Sequence, residues 1–401
     1  MSFSFERTRH FKFNFFNRME KFILVLMCSF TLFGSISAAP KQLQITITNP
    51  IGKDRVNEIV EIRKSAIIGK LNLKKGEKLI VTNSKSQQIP YQIAVNLDLQ
   101  YDSLLIFPVT VKAYGKSIYT IVKGTPEKFS TKVTGRLVPE RKDDFNWEND
   151  RIAFRMYGPA LQATGEISCG IDIWAKRTDK LVADKWYADE EAKKSTYHND
   201  NGEGLDFYKV GPTLGAGAAA PFINDSIWFS KNFTDFQILD KGPLRITFQL
   251  NYDWFKIDGQ GLARYSRIIS LDAGSQLNKI RQKNEFKSKT LPLAAGIVLR
   301  NSPDEKTFID KTKKLYAIHA EPADKENGTL FEAIVGVKPF STITTKCEHL
   351  LCIQSVNPNK FFTYYAGGGW DKFGFKTFDE WTNYIQSFSE KLQHPLLISI
   401  K

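Results

Sequence analysis

Cysteine is scarce, with four in 401 residues, and Cys28 lies in an N-terminal apolar run, which leaves Cys169, Cys347 and Cys352. So small and odd a set excludes a disulfide-stapled scaffold, and a hydrophobic core has to hold the fold. Cys347 and Cys352 are near enough in sequence for a local disulfide. With His349 between them the spacing is wrong for a zinc knuckle and no second ligand pair follows, so no metal is expected there or elsewhere. Histidine numbers only five. Neither an HExxH zinc motif nor a GxSxG nucleophile elbow occurs, which excludes those two hydrolytic chemistries. The N-terminal apolar run, 22–33, is about a dozen residues, short of the roughly 20 that span a bilayer. It follows Lys21 and precedes Gly34, Ser35, Ser37, Ala38 and Ala39, the order of a secretory signal peptide. Residues 1–39 are therefore read as a leader cut between Ser37 and Ala39, with a retained anchor as the competing reading. Met19 heads a more ordinary leader than Met1. The mature chain is expected to be periplasmic or secreted, without a membrane span.

The formal net charge is +13. Residues 1–39 hold five basic and two acidic side chains, so the remainder stands at about +10. Such a balance favours an anionic partner. The cations are spread along the chain and export argues against nucleic acid, which leaves anionic polysaccharide or the cell envelope.

Beyond the leader the chain alternates apolar and polar residues in short runs, at 43–48, 59–62, 103–107 and 117–122. The same pattern returns at 151–157, 170–176, 244–252, 265–271, 295–300, 315–320, 329–337 and 396–400. Period two with β-branched residues and Gly, Pro, Asn and Asp between runs means strands, and the number of them means a large sandwich or a pair of sandwiches. One helix stands out: Thr377 and Glu380 fit a capping box, Phe378, Trp381, Ile385, Phe388 and Leu392 form a stripe at helical spacing, and His394-Pro395 ends it. The polar stretch 190–201 reads as a long loop. Gly215-Ala216-Gly217 imitates a dinucleotide loop, yet Pro221 stops any helix where a pyrophosphate needs one, and no cofactor is expected.

Candidate chemistry concentrates in two places. The segment 197–211 brings His198, Asp200, Glu203, Asp206 and Tyr208 together, and an imidazole among carboxylates and phenols suits proton transfer. It reads almost equally well as a solvated turn. Upstream, alternation puts Arg151, Arg155 and Tyr157 on one sheet face, where a guanidinium beside a phenol suits a carboxylate-bearing sugar. The next strand repeats the device with Asp172, Trp174 and Lys176. Trp147, Trp174 and Trp186 are able to stack on sugar rings or to fill a core, and Lys185 adds a cation beside Trp186. Catalytic roles are assigned to His198, Tyr208 and Tyr157. Substrate contacts are assigned to Arg155, Arg151, Lys185, Trp147, Trp186, Asp200 and Glu203.

The segments 141–159, 197–217 and 267–278 together resemble the domain-of-unknown-function 4861 family of bacterial exported proteins, over nearly the whole mature chain. The resemblance implies an all-β, galactose-mutarotase-like supersandwich with the C-terminal helix packed on it, so that 40–401 forms one carbohydrate-active domain. It also implies a setting beside polysaccharide-degrading enzymes, and the family includes an oligosaccharide dehydratase acting on uronic acids. The implied activity is a carbon–oxygen lyase: β-elimination of water that leaves a 4,5-unsaturated uronate. A base takes the proton α to the carboxylate, cations or donors hold the enolate-like charge, and an acid protonates the departing hydroxyl. Two alternatives stand beside it. One is a non-catalytic glycan-binding or envelope protein. The other is a glycoside hydrolase drawing its carboxylate pair from Glu203, Asp206 and Glu148. The glycan and the oligomeric state are not readable from the sequence.

Overall fold

The computed structural model describes residues 41–99 and 101–401; the expected leader lies outside them. Every run read as a strand contains one, and the sheets are antiparallel. Residues Gln42–Lys401 form one compact unit. Within it the expected sandwich is two, because the apolar faces of the strands gather into separate cores.

The smaller sandwich pairs a four-stranded sheet with a three-stranded one over Ile45, Ile47, Val60, Phe107 and Ile121. Its outermost strand, Leu397–Ile400, is the last of the chain and lies antiparallel to Gln42–Thr48. The larger sandwich sets a nine-stranded sheet against two five-stranded ones. One of these runs from Val133–Val138 to Gly204–Leu205; the other contains the alanine-rich strand Ala216–Ile223. Alternation explains the division of faces. Phe145, Trp147, Phe154 and Ile173 point into the shared core with Phe248, Ile269 and Tyr364, while the residues between them point out. The dinucleotide-like run is thus a strand interior. Its small side chains permit close approach: at Gly217, with φ of +112°, a Cβ would stand 2.3 Å from the Cβ of Ala366.

One cation enters that core. Arg267, fully buried, donates to Gln282 Oε1 and to the carbonyls of Cys169 and Ala219. It lies 5.3 Å from the ring centres of both Tyr252 and Tyr265. Among the described residues it meets no carboxylate within salt-bridge distance.

The helix Phe378–Gln393 is capped as expected, Thr377 Oγ1 accepting from the Glu380 amide. It lays Trp381 and Ile385 on Ile318, Ala333 and Val335 of the nine-stranded sheet. Truncating Trp381 to Ala is expected to cost about 3–5 kcal/mol. Among the described residues no helix is long and apolar enough to cross a membrane. Cys169, Cys347 and Cys352 are free thiols, so the local disulfide does not form. Cys352 is buried in its strand and Cys347 sits in the hairpin turn before it.

Candidate functional site

The outer face of the sheet Val133–Val138 to Gly204–Leu205 carries an unusual density of charge. Register places Asn146 and Asp172 on either side of Arg155, so a guanidinium sits mid-sheet between polar neighbours. A second layer then covers it. The helix Ala183–Glu191 and the turn after it bring Trp186 and Tyr197 onto Trp174, at ring-centre distances of 5.9 and 4.8 Å. This lid leaves Arg155 only 5% exposed.

Under the lid, Arg155 Nη2 lies 2.7 Å from Asp172 Oδ2 and 3.0 Å from Asp206 Oδ2, and its Nε is 3.9 Å from Asp144 Oδ2. Its carbon lies 5.2 Å from the ring centres of both Tyr157 and Trp174. One guanidinium in direct contact with three buried carboxylates, even with Arg141 nearby, does not balance them. Burial pushes the Asp144 carboxyl up to about 6 against the pull of Arg155. Burial and the neighbouring Asp206 raise Asp172; burial outweighs Arg155 and raises Asp206. The phenol of Tyr157, 3.5 Å from Asp172 Oδ2, is driven up by burial and by that carboxylate.

The cluster reaches solvent at His198, whose side chain is 52% exposed. Its Nδ1 lies 3.0 Å from the Asp206 carbonyl and 3.7 Å from Asp206 Oδ2. The Asp206 amide in turn donates to the Tyr197 carbonyl, which fixes the loop. Tyr197 Oη accepts from Arg141 Nε at 3.0 Å and from Arg155 Nη1 at 3.5 Å. With both hydrogen bonds accepted, its own proton is free to be donated.

Of the residues assigned from sequence, Arg155, Tyr157 and His198 do meet around Asp206 and Asp172. Arg155, however, is buried in ion pairs and not open to a substrate carboxylate. The others lie elsewhere. Trp147 is completely buried on the inner face, stacked on Phe154, its Nε1 donating to Asn278. Arg151 is exposed in the turn that Asn149 Oδ1 ties by accepting the amides of 151 and 152, so the strand starts only at Ala153 and the alternation does not reach it. Tyr208 is buried under Arg300, in the field of Glu321 and Glu332. Trp186 packs in the lid core. Lys185 and Glu203 pair at 2.7 Å on the lid's outside, and Asp200 accepts the amides of Gly202 and Gly204 within its own turn. Glu148 binds Lys176 at 2.6 Å and caps the lid helix by accepting from the amides of Val182 and Ala183. Neither Glu148 nor Glu203 is therefore a free carboxylate for glycoside hydrolysis.

Sequence reasoning assigned no role to Asp144, Arg141, Asp172 or Tyr197. Asp172 carried a signal in its place on the same alternation as Trp174, and Tyr197 in its place at the head of the polar segment 197–211.

The model for the domain of unknown function DUF4861 matches residues 47–398. "Uncharacterized protein P7" of Formosa agariphila is 32% identical over 400 residues, covering 94% of this chain and 99% of that one. Two solved structures from Enterococcus faecalis overlap the chain at 10% identity and cover 90% of it. They are an α-mannosidase, with a TM-score of 0.48, and a protein of glycosyl hydrolase family 38, at 0.49. The chain spans 46% and 47% of their lengths. The match along nearly the whole folded unit and the full-length relative place the chain in the DUF4861 family.

Proposed function

We propose that the protein is an exported carbohydrate-active enzyme that removes water from uronic-acid-containing oligosaccharides. The observation that supports this best is the set of upward-shifted carboxyls around one guanidinium, opening to solvent at an imidazole and lined by phenols. Elimination needs such a set. A base takes the C5 proton, the electron pair becomes the C4=C5 double bond, the C4–O bond breaks, and an acid delivers the proton that turns the leaving hydroxide into water. His198, oriented through Asp206, is the base. Tyr197, its oxygen already accepting two guanidinium hydrogen bonds, or Tyr157 is the acid.

Arg155 takes a different part from the one its sequence position suggests, holding Asp172 and Asp206 in place. The cation facing the substrate carboxylate is then Arg141, half-buried at the edge of the cluster and, among the described residues, hydrogen-bonded to the Tyr197 oxygen alone. An anionic substrate also suits the basic balance of the chain.

A second reading, a glycan-binding protein without chemistry, is favoured by a cleft of about 780 Å³ on the far side of the molecule's large sandwich. Lys279, Arg281, Lys338 and Lys360 line it against Asp98 alone, with Arg281 lying 4.3 Å from the ring centre of Phe361. Incubation with uronate oligosaccharides separates the two. Elimination makes a conjugated unsaturated acid that absorbs in the ultraviolet, whereas retention of the oligosaccharide without new absorbance refutes the enzyme and supports the binding protein.

A further inference from the structure

A second polar cluster lies where the strands Tyr316–Ala320 and Leu330–Gly336 pair, with His319 directly opposite Glu332. His319 Nδ1 is 2.9 Å from Glu332 Oε2 and its Nε2 is 3.3 Å from Glu305 Oε2. A neutral imidazole has one N–H, so one of these nitrogens turns a lone pair toward a carboxylate unless a positive charge intervenes. Glu321 follows His319 on the same face. The three carboxylates share one guanidinium, Arg300, whose Nε donates to Glu321 Oε2 at 2.8 Å.

His319 and Glu332 are completely buried, so three carboxylates gathered around one imidazole and one guanidinium are costly to desolvate. The remaining oxygens also lack partners: Glu332 Oε1 and Glu321 Oε1 are both buried without a hydrogen bond. One ligand atom each from His319, Glu321 and Glu332 lies within 4.8 Å of the others. Ligands of a tetrahedral ion bound at 2.0–2.2 Å stand about 3.3 Å apart, so closure needs movements of roughly an ångström.

We infer that His319, Glu321 and Glu332 bind a divalent transition-metal ion of the zinc or manganese type. One imidazole and two carboxylates suit such an ion; calcium takes more oxygens and no nitrogen, and magnesium keeps to oxygen and water. The ion gives the unpartnered oxygens of Glu332 and Glu321 a counter-charge and ties the two paired strands together through their side chains. The inference is independent of the activity proposed above, since the ion sits beside Tyr208 and not beside His198.

The test uses the full chain, stripped with a chelator and titrated with zinc chloride while binding heat and melting temperature are followed. One equivalent should bind and raise the melting temperature. Glu321→Gln, nearly the same shape and 13% exposed at its side chain, should weaken binding at least tenfold, and Co²⁺ should give the visible absorption of a nitrogen-containing site. Absence of stoichiometric binding, or binding that Glu321→Gln leaves unchanged, overturns the assignment. Should Glu332→Gln fail to fold, the wild-type titration and Glu321→Gln still decide it.

Discussion

Two outer faces of the large sandwich use cations in opposite ways. On one, Arg155 is sealed beneath a helix and fenced by Asp144, Asp172 and Asp206. On the other, Arg281 has its guanidinium packed on Phe361 and its side chain 12% exposed at the wall of an open cleft, and its partner Asp98, at 2.9 Å, stands 75% exposed. A cation whose counter-ions are buried with it is bound to them and can only position them, while one whose counter-ion stands in solvent can exchange that partner for a ligand. The contrast teaches that the row of charge most obvious in the strand pattern is the one least able to grip a substrate.

The comparison is broken most severely at Arg155. Replacing it with Met leaves three buried carboxylates without their cation and should cost about 3–5 kcal/mol in chemical denaturation, as breaking buried pairs does. A change below 1 kcal/mol would mean that the carboxyls were already neutral. His198→Ala should lower the rate on uronate oligosaccharides by about 10² to 10⁴ while the melting curve hardly moves, because a half-exposed loop side chain contributes little packing. Full activity would put the base elsewhere. An early melt would make the residue structural.

The acidic face also predicts a pH dependence. Asp144 holds its proton more tightly when folded, so the stability this confers is full below about pH 4 and is lost as pH rises through about 6. Asp144→Asn, neutral throughout, should therefore gain on the wild type by about 2–3 kcal/mol between pH 4 and 7 in urea titrations. A constant difference would disprove the upward shift. Smallest is the change at Arg281→Ala, within about 1 kcal/mol in stability. Its value lies in binding: if the open cleft holds an anionic chain, affinity and its salt dependence should both fall, and if neither does, the cleft holds no such ligand.

The strands were legible because alternation is a local property, and so was the pairing of Arg155 with Tyr157, two residues apart on one face. What alternation leaves open is which face turns inward, and that sent Trp147 to the core. Strand register set Asp172 against Arg155, and a loop returned Asp206 to it; neither follows from neighbouring residues. The lid helix Ala183–Glu191, which ends just inside the stretch 190–201 read as a loop, stayed hidden because only Ala183, Trp186 and Tyr187 are buried along it, too few to set a helical period. Arg151 was misplaced for the reverse reason, since an Asn-tied turn interrupts a run that looks continuous.

Arg267, deep between the sheets, bears on how the chain avoids folding wrongly. A slip of one residue along the strand Gly261–Asp272 would swing its guanidinium outward and bring Ile268 in, leaving Gln282 and the carbonyls of Cys169 and Ala219 without their donor. An all-apolar strand would forgive that slip. The buried cation therefore works as a proofreader, letting the sheets close only when three distant parts of the chain have arrived in correct alignment.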